Sequence, residues 1–260
     1  MLTRIVSGAV LIIVTSAIVF VTLFYNLPIV MLSFLSLLSA MAVYELLNNT
    51  GIVKRKLTSI VATAFAAVFQ LGLTYLSEYV WYAAIAYAVF AVFICVADKM
   101  TYKRVVFTAI TPVAIAVAFN CIAVLTNLGL VYLLLLLNFS SVCDCGAYFV
   151  GVTLGKHKLC PKISPKKTIE GAVGGILLSM IVTAVIARLF SLPQIWQLVL
   201  ITPVLCVASM CGDLLASFIK RRVGLKDYGK IIPGHGGIMD RFDSILLIAP
   251  IYVMIYSLVG

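Results

Sequence analysis

Between Asp213 and Asp243 the chain carries four of its nine carboxylates, six of its nineteen lysines and arginines, and one of its two histidines. The surrounding sequence is apolar. Asp213 closes an apolar run after Cys211-Gly212, where a carboxylate is costly unless it pairs with a base or holds a cation. Pairing with Lys220 or Arg221 is one reading, and metal binding is the other. Asp240, Arg241 and Asp243 open the last apolar run, with the two carboxylates at i and i+3 on one helical face. A favourable helix dipole explains Asp243 better than Asp240. With Asp213 they suit Mg²⁺, which takes carboxylate oxygens together with phosphate oxygens. Lys220, Arg221, Arg222 and Lys226 would read alone as a solvated basic loop. Beside carboxylates they supply what a triphosphate needs. In the turn Pro233-Gly234-His235-Gly236-Gly237, the glycines let main-chain N–H groups approach a phosphate. His235 has little to pack against locally and reads as polar in role.

A second constellation joins Asp144, late in an apolar run, to Ser164-Pro165-Lys166-Lys167-Thr168-Ile169-Glu170-Gly171. An intramembrane Asp is a candidate site residue, or else pairs with a lysine of the following loop. Lys166, Lys167 and Thr168 offer donors to a phosphate, while Glu170 suits a helix cap or a lysine partner. Cys143-x-Cys145 with His157 and Cys160 fits no standard zinc spacing. Glu45, Asn48 and Asn49 end an apolar run on one face and suit the mouth of a site. Asn120 suits an interhelical hydrogen bond.

The elements that must hold these residues are membrane spans. The 260 residues are 63% hydrophobic and 11% charged, against about 25% charged in a soluble domain. Runs near twenty residues without alternation predict an all-α, polytopic protein rather than a β-barrel. Nine spans are expected, at 5–25, 27–46, 58–77, 79–97, 105–126, 128–150, 172–190, 195–216 and 244–260. The first reads as a retained span rather than a signal peptide. Eighteen of nineteen basic residues fall at the N-terminus (Arg4) or in the even loops: 54–56, 99–104, 156–167 and 220–241. Arg188 alone departs from this pattern. Alternation of this kind predicts a cytoplasmic N-terminus and a C-terminus outside. The net charge of +10 is then a property of cytoplasmic loops facing anionic headgroups and nucleotide phosphates, not nucleic acid. A single membrane domain is expected, with spans 1–127 preceding catalytic spans 128–260 and their long loops 151–171 and 217–243. The cysteines read as apolar core thiols rather than a disulfide framework.

The run Ser217-x-x-Lys220-Arg221-x4-Lys226-Asp227-x5-Pro233-x-His235-Gly236-Gly237-x-x-Asp240-Arg241-x-Asp243 resembles the signature of the phosphatidate cytidylyltransferase (CDP-diacylglycerol synthase) family. Asp144 with Ala147-Tyr148 and Gly151, followed by Ser164-Pro165-Lys166-Lys167-Thr168 and Glu170-Gly171, resembles the family's upstream segment. The resemblance covers about 144–243; the earlier spans agree only in being apolar. Cys143 and Cys145 around Asp144 are a local departure.

The resemblance implies that CTP and phosphatidate give CDP-diacylglycerol and pyrophosphate with Mg²⁺, with or without a second cation. It implies metal at Asp213 and Asp240. Asp213, Asp240, Lys220, Arg221, Asp243 and His235 become catalytic candidates. Asp144, Ser164, Lys166, Lys167, Thr168, Ser217, Lys226, Asp227, Gly236, Gly237 and Arg241 become substrate-binding candidates. The expected setting is the cytoplasmic membrane of a prokaryote, with the site facing the cytoplasm and membrane lipids as neighbours. Small-residue helix faces permit a homodimer. The rival readings are an anionic-solute transporter, which would carry inverted repeats, and an enzyme acting on another lipid phosphate, such as CDP-archaeol synthesis or a polyprenol kinase. The Asp-Gly-x-x-Ala-Arg pattern of CDP-alcohol phosphotransferases is absent.

Overall fold

The computed structural model describes residues 2–53, 55–97, 99–229 and 231–259. Lys54 and Lys230, and the side chains of Arg4 and Cys95, lie outside the described residues. Nine apolar helices are described: α1 (Leu2–Phe24), α2 (Pro28–Asn49), α3 (Lys56–Tyr75), α4 (Val80–Ala97), α5 (Tyr102–Leu128), α6 (Leu130–Leu154), α7 (Ile169–Leu189), α8 (Ile195–Arg222) and α9 (Met239–Val259). Eight of them are long and apolar enough to cross a membrane, and the fully described part of α4, Val80–Ile94, is shorter. Trp196 is 79% exposed, Phe93 73% and Leu200 72%. Lipid, not water, is the solvent that tolerates such side chains along helices whose backbone is satisfied internally. The chain is therefore an all-α polytopic membrane protein.

The helices agree with the expected spans and differ where charge begins. α8 continues through Lys220-Arg221-Arg222, and α9 starts at Met239, so Asp240 lies in its first turn. The expected loop 217–243 is thus shorter, because helical hydrogen bonding does not stop where the hydrocarbon does. Within 151–171 the chain forms an antiparallel hairpin, β1 (Lys158–Cys160) with β2 (Ser164–Thr168), pairing Lys158 with Thr168 and Cys160 with Ser164. Two π-turns interrupt the helices, Glu45–Asn49 at the end of α2 and Asn138–Val142 within α6.

The chain groups into two compact units, 1–127 with 223–242 and 128–222 with 243–260. In the first, Ser36 on α2 donates to the Ala67 carbonyl of α3 at 3.0 Å, and Phe65 stacks on Tyr87 of α4 at 4.0 Å. Thr74 donates to Asn120 Oδ1 at 3.0 Å, which is the interhelical bond expected of Asn120. In the second, Asn138 donates to the Ser179 carbonyl at 3.1 Å and to Thr183 at 2.9 Å, and Thr183 meets Thr202 at 3.0 Å. This buried polar relay ties α6, α7 and α8 together, as hydrogen bonds between spans do.

Candidate active site

In the second unit, α6 and α7 meet backbone to backbone. A Cβ at Gly175 would collide with the Cys143 carbonyl and stand 3.0 Å from the Ala147 Cβ, and one at Gly171 would stand 2.5 Å from the Ala147 carbonyl. Small residues allow this approach. It brings the start of α7 against α6, and with it the end of the hairpin. Thr168 is the N-cap of α7, its hydroxyl accepting the Gly171 N–H at 3.1 Å. The cap is therefore Thr168, not Glu170. Glu170 instead accepts the N–H groups of Lys156 and His157 and sits 2.5 Å from His157 Nδ1. The reason is positional: a residue in the first turn points back over the preceding loop.

Lys167, one residue before the cap, is delivered to two carboxylates. Its Nζ lies 2.5 Å from Asp213 Oδ2 on α8 and 4.0 Å from Asp144 Oδ1 on α6. The ammonium is buried and the short contact is one of charge, without the alignment of a hydrogen bond. Asp144 thus pairs with a lysine of the following loop, as one sequence reading had it. Asp213 does not follow its local reading, because its close partner is Lys167 rather than Lys220 or Arg221. Lys220 is instead 3.8 Å from Asp243 Oδ2, and both side chains are only 10% exposed. Their approach depends on Gly212, where a Cβ would stand 2.8 Å from the Asp243 carbonyl. Cys143 is buried with Cys206 and Met210, whereas Cys145 is exposed. Lys166 and Arg221 are exposed, while Ser164 and Ser217 are half-buried.

In the first unit, the loop after α8 folds around Asp240. Asp240 Oδ2 accepts the N–H of Tyr228 at 2.8 Å and that of Gly237 at 3.0 Å. Gly234 and Gly236 have φ of +78° and +89°, the region glycine enters without cost. The turn closes by Ile232 N–H donating to the Gly236 carbonyl and His235 N–H to the Ile232 carbonyl. Arg241 Nε and Nη2 donate to the His235 carbonyl at 2.9 and 2.5 Å. The His235 ring lies 2.8 Å from Ser7 Oγ of α1, which donates to the Pro233 carbonyl. Lys226 and Asp227 are exposed in the bend before Tyr228.

The residues present fit Mg²⁺ by their chemistry. Asp144 and Asp213 converge on one cation, the Lys167 ammonium, and Mg²⁺ needs only one or two carboxylates when phosphates and water complete its shell. Among the described residues no three His, Cys, Asp or Glu side chains gather in one cluster.

Glu45 is the residue that sequence reasoning undervalued. Its sequence position suits the mouth of a site, yet it is 1% exposed, and it accepts the Met239 N–H at 3.0 Å. Its signal was a carboxylate inside an apolar run, the same signal that drew attention to Asp144.

Span architecture and these acidic and basic clusters define a polytopic membrane protein with charged side chains gathered near the ends of its helices. The chain belongs to the Cytidylyltransferase family, whose model matches residues 2–259. It is 39% identical over 169 residues to the phosphatidate cytidylyltransferase of Bacillus subtilis, covering 64% of this chain and 63% of that protein. It is 49% identical over 124 residues to the protein of that name from Staphylococcus epidermidis, covering 47% and 48%. For the one from Staphylococcus haemolyticus the identity is 40% over 156 residues, covering 59% and 60%. The matched stretch thus spans about half to two thirds of these relatives' length.

Proposed function

We propose that this protein is a phosphatidate cytidylyltransferase. A phosphate oxygen of phosphatidate attacks the α-phosphorus of CTP, the bond to the β-phosphate breaks, pyrophosphate leaves and CDP-diacylglycerol remains in the membrane. The nucleophile is a phosphate monoester, already anionic near neutral pH, so the protein needs to supply position and charge rather than a strong base. The observation that carries the reading is Lys167, held between span carboxylates Asp144 and Asp213: it sets positive charge beside candidate metal ligands. Membership of the Cytidylyltransferase family and the names of the bacterial relatives support it.

Asp213 and Asp240, the pair the family resemblance implies, together with Asp144, which shares Lys167 with Asp213, are the carboxylates that would hold Mg²⁺, which when bound neutralises phosphoryl oxygens. Lys220, Arg221, Lys226 and Arg241 balance the triphosphate and the leaving pyrophosphate, and Lys166 and Lys167 hold a phosphate. In this reading the site faces the cytoplasm at a prokaryotic cytoplasmic membrane, with the N-terminus inside and the C-terminus outside; the bias of basic residues to the even loops supports it. CTP then arrives from water and the diacyl chains from the leaflet. The test is to give purified protein CTP, phosphatidate and Mg²⁺. CDP-diacylglycerol should form, and folded protein that makes none would refute the reading.

A further inference from the structure

Glu45 lies outside the signature stretch, yet it meets both ends of the loop that folds around Asp240. It opens the π-turn at the end of α2, and π-turns re-aim a side chain by one inserted residue. Its Oε2 accepts the Met239 N–H at 3.0 Å. A Cβ added at Gly229, or at Gly237, would collide with its carboxylate. One buried carboxylate is therefore wedged between the start and the end of the segment Gly229–Gly237. The same ends fix Asp240: Tyr228, next to Gly229, and Gly237 itself donate their N–H groups to Asp240 Oδ2. From the same π-turn, Asn49 donates to the Tyr228 carbonyl at 2.6 Å. A carboxylate 1% exposed is costly to bury, and a purely packing role would be met by an apolar side chain.

We propose that Glu45 is a positioning residue: by clamping Gly229, Gly237 and Met239 it fixes the loop amides that orient the Asp240 carboxylate. This rests on the reading of Asp240 as a residue of the reaction site. The two glycines are part of the device, since any side chain there would push the loop off Glu45.

The test uses the full chain in lipid nanodiscs, with Glu45→Gln, Glu45→Ala and Glu45→Asp, read by turnover per folded molecule and by hydrogen exchange of the 228–239 segment. Gln keeps an acceptor of the same reach, so turnover and exchange should stay near wild type. Ala and Asp lose the reach to Met239. For a displacement of the order of an ångström, kcat should fall about 100-fold, with KM for phosphatidate little changed and the segment exchanging faster. Should Glu45→Ala fail to accumulate, Glu45→Asp carries the test. Three results would overturn the proposal: wild-type turnover in Ala and Asp, wild-type exchange in both, or a loss in Gln as deep as that in Ala, which would mean charge rather than bracing. If wild-type protein itself makes no CDP-diacylglycerol, the functional reading has failed, and exchange alone then decides the clamp: slow exchange in Ala and Asp overturns it, fast exchange upholds it.

Discussion

Replacing Lys167 by Met separates what the ammonium does for stability from what it does for turnover. Its Nζ stands 2.5 Å from Asp213 and 4.0 Å from Asp144. At an effective dielectric near 20 the gross attractions are about 7 and about 4 kcal/mol. The lysine and Asp213 are about a quarter exposed and Asp144 is 40% exposed, so screening and lost hydration cancel most of this. The net contribution to folding is about 1–2 kcal/mol. Transition-state stabilisation by a positioned cation at a transferring phosphoryl group is worth about 3–4 kcal/mol, or about 10²–10³ in kcat. Lys167→Met should therefore accumulate as folded protein with a melting temperature lowered by a few degrees, while turnover falls by two to three orders of magnitude. Lys167→Arg keeps the charge and should recover part of the rate. The assay pairs a melting curve followed by size-exclusion fluorescence with CDP-diacylglycerol formation under saturating CTP. Lys167→Met with turnover within about threefold of wild type, well short of the expected loss, would refute the reasoning.

Asp213→Asn and Asp240→Asn should each abolish turnover while expression stays intact; wild-type rates in either would remove that residue from the metal set. Chelation of divalent cations should stop turnover, and added Mg²⁺ should restore it, whereas turnover that survives chelation would exclude the Mg²⁺ role. Gly175→Val places bulk against the Cys143 carbonyl and Ala147, so the folded protein should lose about 1–3 kcal/mol. An unchanged melting temperature would refute the close packing of α6 on α7.

The spans were legible because twenty apolar residues have few alternatives, and the basic loops marked the breaks between them. The helix ends were not. Lys220–Arg222 look like loop by composition, but nothing stops their helix until Gly224, whose φ is +73°, and Met239–Phe242, equally loop-like, already form the first turn of the next one. The hairpin has no sequence signal, because β2 is only five residues long and includes Pro165 and two lysines, without the alternation that marks a strand. Among site residues, Asp144 announced its lysine partner locally. Asp213 did not, since Lys220 and Arg221 follow it in sequence while Lys167 comes from the far side of α7. Glu45 was the hardest to read. Its contacts are to main-chain N–H and to glycines nearly two hundred residues away, which leave no side-chain pattern to find.

The most direct test of the central claim follows the phosphorus atoms of CTP. Purified protein in phosphatidate-containing nanodiscs with Mg²⁺ should move label from the α-phosphate of CTP into chloroform-extractable lipid, and only when phosphatidate is present. Label in the γ-phosphate should stay in water as pyrophosphate. Lipid that acquires the γ-label would identify a kinase, and lipid that acquires neither label would contradict the proposed transfer.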